Sequence, residues 1–119
     1  MTRLPDRLDL ALTARLREVV VGGQPATESE LRTLADRAGG WARAVDAQLR
    51  SSERRLARLN ADPTSLLAEI ASELRRVETL TEELDEARSL VAGLERRTRE
   101  LRTAWLKYHA ESGRGLGAR

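Results

Sequence analysis

One histidine, no cysteine and a scatter of carboxylates are the chemistry-bearing inventory of this 119-residue chain. His109 is the single imidazole, the group that most often moves protons at neutral pH. It stands beside Tyr108 with no second His and no Cys at metal-ligand spacing. It reads as a cation at a helix end or an exposed ring rather than as a catalyst. The densest carboxylate run, Glu82, Glu83, Asp85 and Glu86, could attract a divalent cation, but a solvated acidic face accounts for it without one. Gly113, Gly115 and Gly117 follow no strand and cradle no phosphate. The expectation is an absence of catalytic residues, metal ligands, cofactor and small-molecule substrate.

Composition points to thin helical packing. The chain holds 20 Leu and 17 Ala against two Trp, one Tyr and no Phe, so helix-on-helix seams are expected in place of a thick aromatic core. Charged residues interrupt the first turns, and no apolar run approaches membrane-spanning length. These features read as a soluble, cytoplasmic protein that does not engage a membrane. A net charge of +2 conceals a supply of 20 Arg and one Lys, Lys107, an excess too small to imply nucleic acid by itself.

The elements that must position any functional group are helices. The predicted fold is all-α, an antiparallel helical hairpin or coiled coil with a third, short N-terminal helix. It forms a single domain over residues 1–111, with helices near 5–21, 28–60 and 63–111 and a disordered Gly/Arg tail over 112–119. In the first helix, Leu8, Leu12, Leu16 and Val19 form the main stripe, and Leu10, Ala14 and Val21 a second apolar row. The second helix opens on the capping box Thr27-Glu28-Ser29-Glu30. Its seam is Leu31, Ala35, Ala38, Ala42, Val45, Leu49, Ser52, Leu56 and Leu59. Asp62 and Pro63 are expected as N-cap and first residue of the third helix. Along that helix the seam residues Leu67, Ile70, Leu74 and Val77 precede Leu80, Leu84, Ala87, Val91, Leu94, Thr98, Leu101, Trp105 and Tyr108, with one slip near Val77.

Folding about residues 61–62 sets Arg50, Arg54, Arg55 and Arg58 beside Glu69 and Glu73, and Glu28 and Glu30 beside Arg96 and Arg97. The third helix is acidic early and basic late, which also suits an antiparallel copy of itself. Three helices of unequal length are expected to leave Leu94, Leu101, Trp105, Leu106 and Tyr108 for a partner, either a second copy or another helical protein. The functional expectation is a non-enzymatic interaction or assembly protein.

An alternative comes from Leu34-Ala35-Asp36-Arg37-Ala38-Gly39 followed by Val45. This stretch resembles the helix-turn-helix motif, and a long coiled-coil tail behind it is similar in layout to some plasmid-encoded regulators. The resemblance implies a turn at Gly39-Gly40 and a recognition helix over 41–60. Nucleic-acid contact would then run through Arg43, Arg50, Arg54 and Arg55. Gly40 doubles the turn and Gln48 occupies a normally apolar position, both departures from the motif.

Overall fold

A computed structural model describes the backbone of residues 3–117 and the side chains of residues 10–111. It holds three helices and, among the described residues, no strand: α1 (Arg3–Val20), α2 (Glu28–Ala61) and α3 (Leu67–Gly117). α2 and α3 form the hairpin. α1 runs beside α3 in the same direction and closes the open end, and the molecule measures 84 × 26 × 20 Å. The predicted fold class is the observed one.

α1 ends where glycine allows it to. Gly23 has φ 64, in the left-handed region, and the Gln24 N–H donates to the Glu18 carbonyl at 3.0 Å. Leu12, Leu16 and Val19 are buried against Leu31, Leu34, Ala38, Leu90 and Leu94, forming the three-helix part of the core. The proposed second row is not covered: Leu10, Ala14 and Val21 are exposed. Leu8 lies outside the described side chains. α1 lies so close to α3 that a Cβ built on Gly93 would stand 2.3 Å from Val20 Cγ1. Valine is stiff at χ1, so this approach requires a glycine.

Thr27 caps α2 as expected, its hydroxyl accepting from the Glu30 N–H at 3.0 Å. The other half of the capping box is diverted, because Glu30 pairs with Arg15 at 2.7 Å. α2 then runs unbroken through Gly39 and Gly40. The turn that the helix-turn-helix resemblance requires is therefore absent, and residues 41–60 are not a separate helix. The reason lies in packing: Ala38 and Trp41, on either side of the glycines, both face the core. Trp41 Nε1 also donates to Glu83 on α3 at 3.0 Å. A bend between the two would pull one of them out of the seam.

Two details of the seam differ from expectation. Leu34 and Trp41 are buried where Ala35 and Ala42 were expected, and these alanines sit half-buried at the edge, because α1 widens the covered face of α2. On α3 the slip near Val77 does not exist. Glu73 is 8% exposed while Leu74 is 46% exposed, so the inward row runs Ile70, Glu73, Val77, Leu80, Leu84 and Ala87 in regular steps of three and four. Glu73 is tolerated inside because Arg55 pairs with it at 3.3 Å. Leu67, also expected inside, is exposed.

The hairpin loop is longer than the sequence suggested. Asp62 ends α2 rather than capping α3, and α3 starts at Leu67 instead of Pro63. The Asp62 carboxylate accepts from the Thr64 N–H at 2.9 Å and the Thr64 hydroxyl at 2.7 Å, and the Ser65 N–H returns to the Asp62 carbonyl at 3.1 Å. This turn competes successfully with helix initiation. The register moves with it: contacts such as Ser52 with Arg76 and Arg55 with Glu73 are symmetric about residue 64. At its other end α3 continues to Gly117, so residues 112–117 of the supposed disordered tail are helical, none of the glycines there adopting positive φ. Residues 118–119 lie outside the described residues.

Continuous helix at Gly39-Gly40 has a thermodynamic signature. A methyl at Gly39 meets only the mobile Arg43 guanidinium at 3.3 Å, and at Gly40 only its other nitrogen at 3.9 Å. Gly39→Ala and Gly40→Ala are each expected to stabilise the chain by up to about 1 kcal/mol. Thermal unfolding reads this, and destabilisation would mean a turn. At the loop, the two hydrogen bonds from Thr64 hold the Asp62 carboxyl below its ordinary value. A carboxyl lowered on folding contributes stability above its unfolded value, near 3.9, which is lost as pH falls through the folded one. NMR titration of Thr64→Ala should find the Asp62 pKa moved back upward.

Candidate interaction surface

α3 is the longest element, and its free end begins where α2 stops. The last contact between them is Arg102 with Glu28 at 3.8 Å, beside Arg97 reaching the Gln24 carbonyl at 3.5 Å. Neither Arg96 nor Arg97 meets Glu28 or Glu30 as an ion pair, contrary to expectation, because the longer loop shifts α3 along α2. Beyond Arg102 none of the described residues flanks α3, yet its inward row continues from Leu101 through Trp105 and Tyr108. A pattern written for burial thus persists past the end of the surface that could bury it.

The residues expected to meet a partner divide accordingly. Leu94 is fully buried within the chain, covered by α1, and is removed from the set. Leu101 lies at the rim, 39% exposed, while Trp105, Leu106 and Tyr108 are between 61% and 67% exposed. Leu106 points away from the other three, about 100° round the helix from Trp105. His109 stacks one turn beyond Trp105, ring centroids 4.0 Å apart at 47°, and meets Tyr108 edge-on at 5.7 Å. It is not at a helix end, since α3 goes on to Gly117. Two of the chain's three aromatic rings are therefore displayed on one projecting turn and a half. Residues 103–119 carry three basic groups and one acidic, leaving residues 1–102 with 18 of each. The projection is an aromatic arm with a small positive excess on a neutral body.

The arginines proposed for nucleic acid are differently placed. Arg43, Arg50 and Arg54 share one outward face of α2, but Arg43 folds back over Gly39 and Gly40. Arg50 is paired with Asp46 at 3.1 Å, and Arg55 with Glu73 across the hairpin. The expected pairing of this basic group with α3 holds for Arg55 and Glu73 alone. Among the described residues, no three of His, Cys, Asp and Glu converge to hold a metal ion. Glu83 faces Trp41 and Glu86 pairs with Arg17, so the acidic run is split between the core edge and solvent. A groove between α2 and α3, lined by Glu28, Leu31, Thr98 and Arg102, is open and shows no convergent chemistry. No helix of the described residues is long and apolar enough to cross a membrane.

Sequence reasoning missed the packing roles of Gly93 and Trp41, and for Glu73 it found the pairing with Arg55 but not the inward position. The glycine is legible only once α1 is known to cross it. Glu73 was masked by Leu74 beside it. No protein family, curated protein or solved structure matches the chain.

Substitution separates the arm from the core. Leu94→Ala should cost about 2–5 kcal/mol, the range for a buried leucine. Trp105→Ala should move stability by no more than about 0.5 kcal/mol, as at other exposed sites. Denaturant unfolding of both variants checks the contrast, and equal losses would mean that the arm is folded against the body.

Proposed function

We propose that this chain is a non-enzymatic interaction protein whose projecting arm seats a helix of a protein partner. The observation that carries the reading is the continuation of the α3 seam through Leu101, Trp105 and Tyr108 beyond the N-terminus of α2. The hairpin supplies the template, since α2 occupies the same face of α3 lower down with aliphatic residues inward. A partner helix prolonging that packing covers the two rings. Aromatic anchors in such a position supply most of the binding energy of a helical interface.

The regulator reading receives less support. Continuous helix at Gly39-Gly40 withholds the docking geometry of a helix-turn-helix, and two of the four arginines are engaged by carboxylates. A photo-crosslinking side chain at position 105, used in the native cell, is expected to capture one helical segment reproducibly, and Leu101→Asp to abolish the capture. Scattered adducts, or capture indifferent to Leu101→Asp, would contradict the proposal. Binding to mixed duplex DNA at about 50 mM salt, weakened by Arg43→Ala and Arg54→Ala, would favour the regulator instead.

A further inference from the structure

The side of α3 opposite the seam carries a second pattern that neither the hairpin nor the arm uses. From Asp85 the exposed outward residues are Ser89, Ala92, Arg96, Arg99 and Thr103, spaced alternately by four and three, and Leu106 ends the row. Toward the hairpin loop the same face presents Glu82, Glu78 and Leu74, all exposed. Glu78, Glu82, Asp85, Arg96 and Arg99 take part in no ion pair among the described residues. Acid thus predominates in one half of a helical face and base in the other, Arg75 and Glu100 being the exceptions, with an exposed leucine at each end.

The geometry points to a second copy of this chain as the occupant of that face, packed antiparallel along α3 about a two-fold axis between residues 90 and 91. In that register Asp85 meets Arg96 of the second copy, Glu82 meets Arg99, and Leu74 lies within one residue of Leu106, and the symmetry repeats each contact. At the axis the facing residues are Ser89 and Ala92, small enough for close approach of the two helices. A parallel pair loses both charge matches: it sets Asp85 on Asp85 and Arg96 on Arg96. The overlap runs for about 70 Å at 1.5 Å per residue. A stripe about 10 Å wide over that length covers roughly 700 Å² per copy, close to the roughly 800 Å² of a standard stable interface. Trp105 and Tyr108 lie on the opposite side of α3 and stay free, so this dimer stands or falls independently of the arm's partner.

The test uses the full chain, which has no cysteine of its own. Sedimentation at tens of micromolar should show a dimer, with dissociation promoted about tenfold by Asp85→Arg or by Arg96→Asp, which set like charges against each other twice. Combining the two substitutions in one chain restores both contacts and should restore the dimer. A chain bearing Leu74→Cys and Leu106→Cys should form a disulfide-linked dimer on mild oxidation. The two positions lie about 48 Å apart on one helix, so the bond can form only between copies. Trp105→Ala should leave the dimer intact. A monomer throughout, failure of the double reversal to rescue, linkage of copies by Leu106→Cys alone as in a parallel pair, or loss of the dimer in Trp105→Ala would each overturn the assignment.

Discussion

A helix of 51 residues paired with one of 34 cannot be covered along its length, and this mismatch governs the rest of the molecule. α3 carries one continuous inward row, and each other element is placed by how much of that row it can bury. α2 takes the stretch from Ile70 to Thr98. α1, of 18 residues, folds back over the open end and converts two layers into three, which is why Leu16, Leu31 and Leu94 are the most deeply buried large side chains. Neither reaches beyond Arg102, because the chain must turn through residues 21–27 at that level. The aromatic arm is what remains.

The two halves of the hairpin are held by different physics. At the open end the layers are apolar, and Gly93 lets α1 approach closely enough to seal them. Toward the loop the interior contains Ser52 and Glu73, satisfied by Arg76 at 3.0 Å and Arg55 at 3.3 Å. Such a polar layer contributes less stability than leucine would, and its attested use is to fix register. Here it has a second effect. By taking the inward position, Glu73 turns Leu74 outward, and so supplies one apolar end of the outer row on α3. A residue that looks like a flaw in the core pattern thereby shapes the surface.

Surface charge follows the same division of labour. Exposed pairs along α1 and α2, such as Arg15 with Glu18 and Arg50 with Asp46, are local and weakly stabilising. The exposed carboxylates and arginines of the α3 outer face are different in being largely segregated rather than alternated. Segregation along the helix suits the macrodipole and, equally, a complementary surface laid against it.

Periodicity settled the class and the number of helices from sequence alone, since Leu and Ala at steps of three and four admit no other regular structure. It also located the arm: Leu101, Trp105 and Tyr108 continue a seam that α2 is too short to match. The identity of inward residues was decided only on folding. Glu73 over Leu74, and Leu34 and Trp41 over two alanines, depend on which neighbours arrive and on Arg55 being in reach. Whether Gly39-Gly40 bends could not be read from glycine itself, which permits helix and turn alike; packing of Ala38 and Trp41 on α3 chose helix. The start of α3 likewise turned on a competition between the Asp62 turn and a helix cap, two uses of one carboxylate, which Thr64 two residues on claims for the turn.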